Sequence, residues 1–360
     1  MKIKNNKNNI IKKLLDNLID IMRFPTLNDV ARESGYSANT VSRYINKKGY
    51  ISKVAEEKIR LAIEKLNYFP SLNARAMKSL SSFTIALIVP SIKNDFYVSI
   101  VRVAEDYLKE LGYVTMVFES RLDVERERKI LELCISFRVQ GIILAGVGLQ
   151  NDDLISIMVE KNQIKMVMIE IEHKKIKCDH ILMSDEEGSY LLTEHLIKVH
   201  NKRRIGFIIS DLGNNVTMGR YVGYKNALQD NEIDFNEEFL SFAPVSKLNG
   251  YNLTKKLIAK KVDAIYTSNT IFGTGCIKAL NEMNIKYPED LAFVSFDDYD
   301  INTIFHPYIT SLKRVDKKIG EFSAKLLLDR INDKSKELKK VIIPMELEIR
   351  ESCGCKLFLQ

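Results

Sequence analysis

Residues 26–46 read TLNDVARESGYSANTVSRYIN, and this stretch decides how the first part of the chain folds. Thr26 is placed to cap a helix that turns Leu27, Val30 and Ala31 to one side. Gly35 suits the left-handed turn that follows. Ser37 can cap a second helix over 38–46, with Val41 and Ile45 on one face. Ser52 can cap a third, with Val54, Ile59, Ala62, Ile63 and Leu66 inward. Two short helices around a glycine turn, supported by a third, form the helix-turn-helix pattern. On the second helix Ala38, Asn39, Ser42 and Arg43 fall away from the apolar side. Asn can pair bidentately with adenine and Arg with guanine, while Ser37 and Thr40 suit phosphate contacts. A plain three-helix bundle with a polar second helix fits the same spacing, so spacing alone leaves both readings open.

Charge adds a second signal. Residues 1–82 hold 16 Lys/Arg against 7 Asp/Glu, a net of +9, whereas residues 83–360 hold 38 against 40, a net of −2. A small basic module facing a polyanion, joined to a near-neutral body, is the arrangement this implies. The 360 residues exceed one typical domain, and the 46% hydrophobic, 28% charged balance excludes global disorder. The longest pure apolar runs, such as Ile85-Ala86-Leu87-Ile88-Val89, are strand-sized, and no secretory h-region or cleavage site opens the chain. A cytoplasmic protein without a membrane span is expected.

From Phe83 onward, short apolar runs alternate with amphipathic helical patterns. The runs are 84–89, 114–118, 141–145, 166–171, 180–183, 204–209, 263–267 and 291–296, and helical patterns include 97–111, 124–137, 187–199 and 218–230. Such alternation implies parallel sheets with helices on both faces, and the length fits two of them. Ligands then bind beyond the carboxyl ends of the strands. Between the two parts, Pro70 blocks continuation of the third helix, and residues 72–79 are helix formers too few to hold a helix alone in water.

The opening stretch, followed by YISKVAEEKIRLAIEKLNYFPSLNARAMKSL over 50–80, resembles the DNA-binding head of the lactose/purine-repressor (LacI) family, and the resemblance continues to Arg350. It implies an α/β protein: a small all-α helix-turn-helix head, a hinge helix, and a two-lobed periplasmic-binding-protein-like body with parallel sheets. The expected domains are an extension over 1–24, the DNA-binding head over 25–70, the hinge over 71–82, the effector-binding and dimerisation body over 83–350, and a tail over 351–360. The first lobe would take 83–182 and 313–340, and the second 183–312 with the last strands. The family's base-reading positions fall on Ala38, Asn39 and Arg43. In the hinge, Met77 stands where the family commonly inserts a leucine wedge into the minor groove, with Arg75 and Lys78 facing phosphate or the groove edge.

The effector groups implied by the resemblance sit at strand ends: Asn94, Phe96 and Tyr97, then Glu170, Arg220 in MGRYVGY, Asn269 and Asp297. Carboxylates, an amide and an arginine suit vicinal hydroxyls, and an aromatic face suits the apolar side of a sugar ring. The chain departs from the family at Thr270 (usually Asp), Val245 (often aromatic) and Asn214 (Arg in some relatives).

Catalysis finds no motif: there is no G-x-S-x-G, P-loop, HExxH or dinucleotide fingerprint after a strand. The five cysteines, Cys134, Cys178, Cys276, Cys353 and Cys355, are scattered and odd in number, so reduced thiols are expected rather than disulfides. Cys353-Gly-Cys355 lacks the second Cys/His pair that a zinc site would need, and His195 and His200 are five apart rather than four, so no metal and no cofactor is expected. Before the head, Ile10, Leu14, Leu18 and Met22 form an amphipathic stripe, readable either as an extra helix or as sequence upstream of a natural start at Met22. Only ten residues follow Arg350, too few for a coiled coil, which favours a dimer over a tetramer. The resulting expectation is a homodimeric transcriptional regulator of a near-palindromic double-stranded DNA operator, controlled by a small molecule, most readily a sugar. The competing expectation is a sugar-sensing or carrier protein whose head no longer binds DNA.

Overall fold

The computed structural model describes residues 25–47, 49–69, 82–298, 300–304, 306–313, 316–333 and 337–356. The amphipathic stripe before residue 25 and the hinge positions Arg75, Met77 and Lys78 lie outside the described residues. The chain divides into two compact units, with the boundary in sequence between Ser82 and Phe83.

The first unit holds α1 (Leu27–Ser34), α2 (Ala38–Ile45) and α3 (Lys53–Leu66). Thr26 caps α1 through a capping box closed by Asp29, and Gly35 ends it at φ 75°. Ser37 and Ser52 cap α2 and α3 by accepting from the backbone N–H groups of Thr40 and Ala55. The core is Val30, Val41, Ile59, Ala62 and Tyr68, with Leu27, Ala31, Ile45, Ile63 and Leu66 against it. Val54 corrects the sequence reading. It is 65% exposed, because the inward face of α3 runs Ala55, Ile59, Ala62, one residue and about 100° away.

The second unit carries two six-stranded sheets. The first-lobe sheet is ordered β11-β5-β4-β3-β1-β2 and is parallel throughout. Its strands are β1 (Thr84–Val89), β2 (Val114–Glu119), β3 (Gly141–Ala145), β4 (Lys165–Ile169), β5 (Asp179–Met183) and β11 (Lys340–Ile343). The second-lobe sheet is ordered β12-β10-β9-β8-β6-β7, parallel except where β12 runs antiparallel to β10. It consists of β6 (Ile205–Ile209), β7 (Leu240–Phe242), β8 (Ala264–Thr267), β9 (Ala292–Asp297), β10 (Thr310–Lys313) and β12 (Glu346–Glu348). All eight apolar runs form strands. The others, β7, β10, β11 and β12, are three or four residues long and partly exposed or edge-placed, so they lack a continuous apolar signature.

The chain passes between lobes three times: after β5, after β10, and between β11 and β12. Helices α4 (Asp95–Glu110), α5 (Val124–Ser136), α6 (Asp152–Glu160) and α11 (Asp316–Ile331) belong with the first sheet. Helices α7 (Asp185–Lys198), α8 (Asn215–Asp230), α9 (Lys247–Ala259) and α10 (Thr270–Glu282) belong with the second. Gly223 lets α8 lie directly on α7, since a Cβ there would collide with the carbonyl oxygen of Glu186. That close approach brings Arg220 beside Asp185. Among the described residues no helix is long and apolar enough to cross a membrane.

Candidate functional site

In the first unit, Asn39 and Arg43 project from the same side of α2, four residues apart, and both are exposed. Ser37 is exposed, while Ala38, Thr40 and Ser42 are half-buried. The Ser37 hydroxyl is already engaged as the α2 cap and bonds Thr40 Oγ1 at 2.9 Å. Elsewhere on the head, Arg60 pairs with Glu57 and Glu64, and Lys65 with Glu33. Arg43 and Lys47 have no ion pair among the described residues, so α2 and the turn after it carry exposed positive charge. Such a face suits a phosphate-lined groove.

In the second unit a cavity of about 660 Å³ opens between the lobes. Its walls come from the carboxyl ends of strands in both sheets, where an open parallel sheet leaves a crevice. Asn94, Tyr97, Glu170, Arg220, Asn269 and Asp297 all line it. Phe96 does not. It is fully buried in the lobe core with Ile100, Ala104 and Leu108, its ring edge against Tyr97 at 5.0 Å. The reason is helical phase: Phe96 shares the inward 96/100/104 stripe of α4, and Tyr97 is rotated toward the opening.

The Tyr97 hydroxyl donates to Glu170 Oε2 at 2.5 Å, joining α4 to the end of β4. Glu170 holds a left-handed backbone, φ 69°, which costs a non-glycine residue about 1–2 kcal/mol. Two hydrogen bonds hold it: its N–H donates to Ile181 O at 3.0 Å, and its carbonyl accepts from Asn215 Nδ2 at 2.8 Å. Asn215 Oδ1 in turn accepts from Glu172 N at 2.7 Å, so one side chain of the second lobe bonds the first-lobe backbone twice.

On the opposite wall Arg220 is 6% exposed. Its Nε donates to Asp185 Oδ1 at 2.9 Å, its Nη1 to Ser268 O at 2.5 Å, and its guanidinium lies 3.7 Å from the Phe296 ring centre. Ser189 accepts from Tyr266 Oη at 3.0 Å and donates to Arg220 O, fixing the backbone of the same turn. Asn94, Asn214 and Asn269 each use Oδ1 to cap the helix that begins beside the cavity, accepting from Phe96, Thr217 and Phe272 N–H. Three helix amino termini therefore face the opening. Asp297 Oδ2 accepts from Thr270 N at 3.4 Å.

The positions that depart from the family pattern, Asn214, Val245 and Thr270, also line the cavity. Sequence reasoning did not find Asp185, which lies at the lobe crossing and carries no motif, nor Lys93, Asp95 and Lys247 in the lining. Charged lining groups balance: Lys93, Lys247 and Arg220 against Asp95, Glu170 and Asp297. Behind the Gly146–Val147 rim, buried Glu127 accepts from Val147 N at 2.9 Å and Asn151 Nδ2 at 3.0 Å, and burial pushes its carboxyl up. Together the groups form a neutral, hydrogen-bonding cleft with apolar patches from Leu122, Val216 and Ile271.

Residues 26–71 match the family described as bacterial regulatory proteins, lacI family, and residues 193–353 match the periplasmic binding protein-like domain. The HTH-type transcriptional regulator RegA of Clostridium saccharobutylicum is 30% identical over 330 residues, covering 91% of this chain and 98% of that protein. The HTH-type transcriptional repressor PurR of Pasteurella multocida (strain Pm70) is 28% identical over 334 residues, 92% of this chain and 99% of its own. Among solved structures, the lac repressor dimer bound to operator and the anti-inducer ONPF superposes with a TM-score of 0.79 at 22% identity, covering 92% and 99% of the two chains. A LacI family transcriptional regulator from Enterococcus faecium with bound ribose gives 0.67 at 26% identity, covering 75% and 98%.

Proposed function

Because this chain belongs to the lacI family of bacterial regulatory proteins, and is a DNA-binding transcription repressor rather than an enzyme, we propose that a sugar or sugar derivative bound between its lobes sets its operator affinity. The observation that carries this reading is the convergence of Tyr97 and Glu170 from one lobe with Arg220, Asn269 and Asp297 from the other on a single cavity. Both walls touch the same ligand, so ligand binding favours one relative pose of the lobes over another. Carboxylates and amides on both walls suit the hydroxyls of a sugar, and the ribose held by the Enterococcus faecium relative supports the same class.

On the DNA side, two copies of the chain read half-sites of a near-palindrome, as a two-fold protein matches two-fold DNA. The operator-bound dimer of the lac repressor supports this assembly. Asn39 and Arg43 supply base contacts, Ser37, Thr40 and Ser42 contact phosphate, and Ala38 touches at most a thymine methyl. Met77 is the wedge at the central base step, flanked by Arg75 and Lys78. The protein acts where its operator is, in the cytoplasm.

The test is a thermal-shift screen of free sugars and sugar phosphates, since a ligand that binds only the folded state raises the melting temperature. A neutral sugar is expected to give the larger shift, and Asp297→Ala and Asn269→Ala to remove it. A shift that survives both substitutions would overturn the cavity assignment. A gel shift against the upstream region of the chain's own gene, with and without the hit, then reads the coupling to DNA.

A further inference from the structure

Away from the cavity, four side chains that the sequence spacing had separated come together. His195 lies on the last turn of α7 and His200 just beyond its end, because α7 stops at Lys198 and the chain turns back, with Lys202 N donating to Leu196 O. The two rings stand edge to face at 5.1 Å. The five-residue spacing, unsuitable for a shared helix face, becomes suitable once the helix ends between them. From the other end of the chain, Cys353 and Cys355 lie against the same rings.

The nitrogen-to-sulfur distances are 3.4 Å for His195 Nε2 to Cys353 Sγ, 3.7 Å for His195 Nε2 to Cys355 Sγ, and 3.3 Å for His200 Nε2 to Cys355 Sγ. All four ligand atoms lie within 4.8 Å of one another. Zinc bonds of about 2.3 Å to sulfur and about 2.0–2.1 Å to nitrogen, at tetrahedral angles, put neighbouring nitrogen and sulfur atoms about 3.5 Å apart. The observed edges bracket that value. The glycine between the cysteines is needed for the fit. Gly354 has φ +114°, and a Cβ there would lie 2.9 Å from His200 Nδ1. The thiol of Cys353 also receives a hydrogen bond from Thr310 Oγ1 at 3.1 Å, an outer partner suited to a thiolate. His195 and Cys353 are buried, and His200 and Cys355 are half-buried, so the cluster is enclosed on one side and reachable from the other.

We propose that His195, His200, Cys353 and Cys355 form a four-ligand site for a thiophilic divalent cation of the zinc type. The site lies near the amino ends of β9 and β10, where Ser352 bonds Phe293, Thr310 bonds Ser352 and Cys353 follows; Asp297 of the cavity stands at the far end of β9. Two thiol protons leave to solvent as the thiolates coordinate. The bound cation clamps residues 353–355 to α7, cross-linking the end of the chain to the second lobe. This function is separate from effector and DNA binding.

The test uses the full chain, purified reduced and loaded with zinc or cobalt alone. Expected are one zinc per chain by elemental analysis, thiolate-to-cobalt charge transfer with the strong visible bands of tetrahedral cobalt, and a melting temperature that falls when a chelator strips the metal. Cys353 is fully enclosed, so the ligand variants are Cys355→Ser and His200→Gln at the half-buried positions. Each should weaken zinc binding more than the about 10–100-fold typical of an outer-partner change. Both should still fold and leave the sugar-induced thermal shift intact. The proposal is overturned if the reduced protein shows no thiolate-to-cobalt band, if both variants bind zinc as tightly as the parent, or if the four groups merely hydrogen-bond and the chelator leaves the melting temperature unchanged.

Discussion

Arg220→Met isolates the charge that organises the second-lobe wall of the cavity. Met keeps an unbranched apolar stem but removes the guanidinium that bonds Asp185 Oδ1 at 2.9 Å and Ser268 O at 2.5 Å. The two paired side chains are 7% and 4% exposed, so solvent screens the interaction little. Removing the cation leaves the Asp185 carboxylate buried without it, and breaking a buried pair from one side costs about 3–5 kcal/mol. Urea unfolding at neutral pH should show a loss of that size. Asp185→Asn in the same background removes the carboxylate charge as well and should recover most of it, because deleting both members of a buried pair is often close to neutral. A loss below about 1 kcal/mol, or one that Asp185→Asn does not reduce, would rule out this pair as what shapes the wall.

Arg43→Ala should relax preference at one base pair per half-site, by about 1–3 kcal/mol, in a binding-site selection; unchanged selectivity would remove Arg43 from base reading. Phe96→Ala should lower stability by about 3–5 kcal/mol, as a fully buried ring leaves a cavity, while the folded protein keeps its sugar affinity in calorimetric titration. Strong loss of affinity at parental stability would return Phe96 to the binding surface. Asn215→Ala removes both hydrogen bonds to Glu170 and Glu172, each about 0.5–1.5 kcal/mol, and should weaken effector binding about 5–150-fold. Unaltered affinity would mean that the lobes close without this bridge.

The head was legible almost residue by residue, because its determinants are local. A capping hydroxyl, a glycine at a left-handed turn and an apolar stripe act within a few residues of one another. The misplacement of Val54 shows the limit of that reading: two adjacent apolar candidates, Val54 and Ala55, compete for one inward phase, and packing chooses. Phe96 and Tyr97 repeat the lesson at the site. Both are aromatic and adjacent, but one helix phase fills the core and the other faces the opening.

The sequence alone determined the parallel α/β body and the helix-turn-helix, since both are written in short-range periodicity, while the candidate cavity groups came from the family resemblance at strand ends. Tertiary structure alone decided what meets across long separations. Asp185 reaches Arg220 over 35 residues, and the cysteines at the end of the chain reach His195 and His200 over 155 to 160. Such encounters depend on how sheets and helices pack, and no local pattern encodes them.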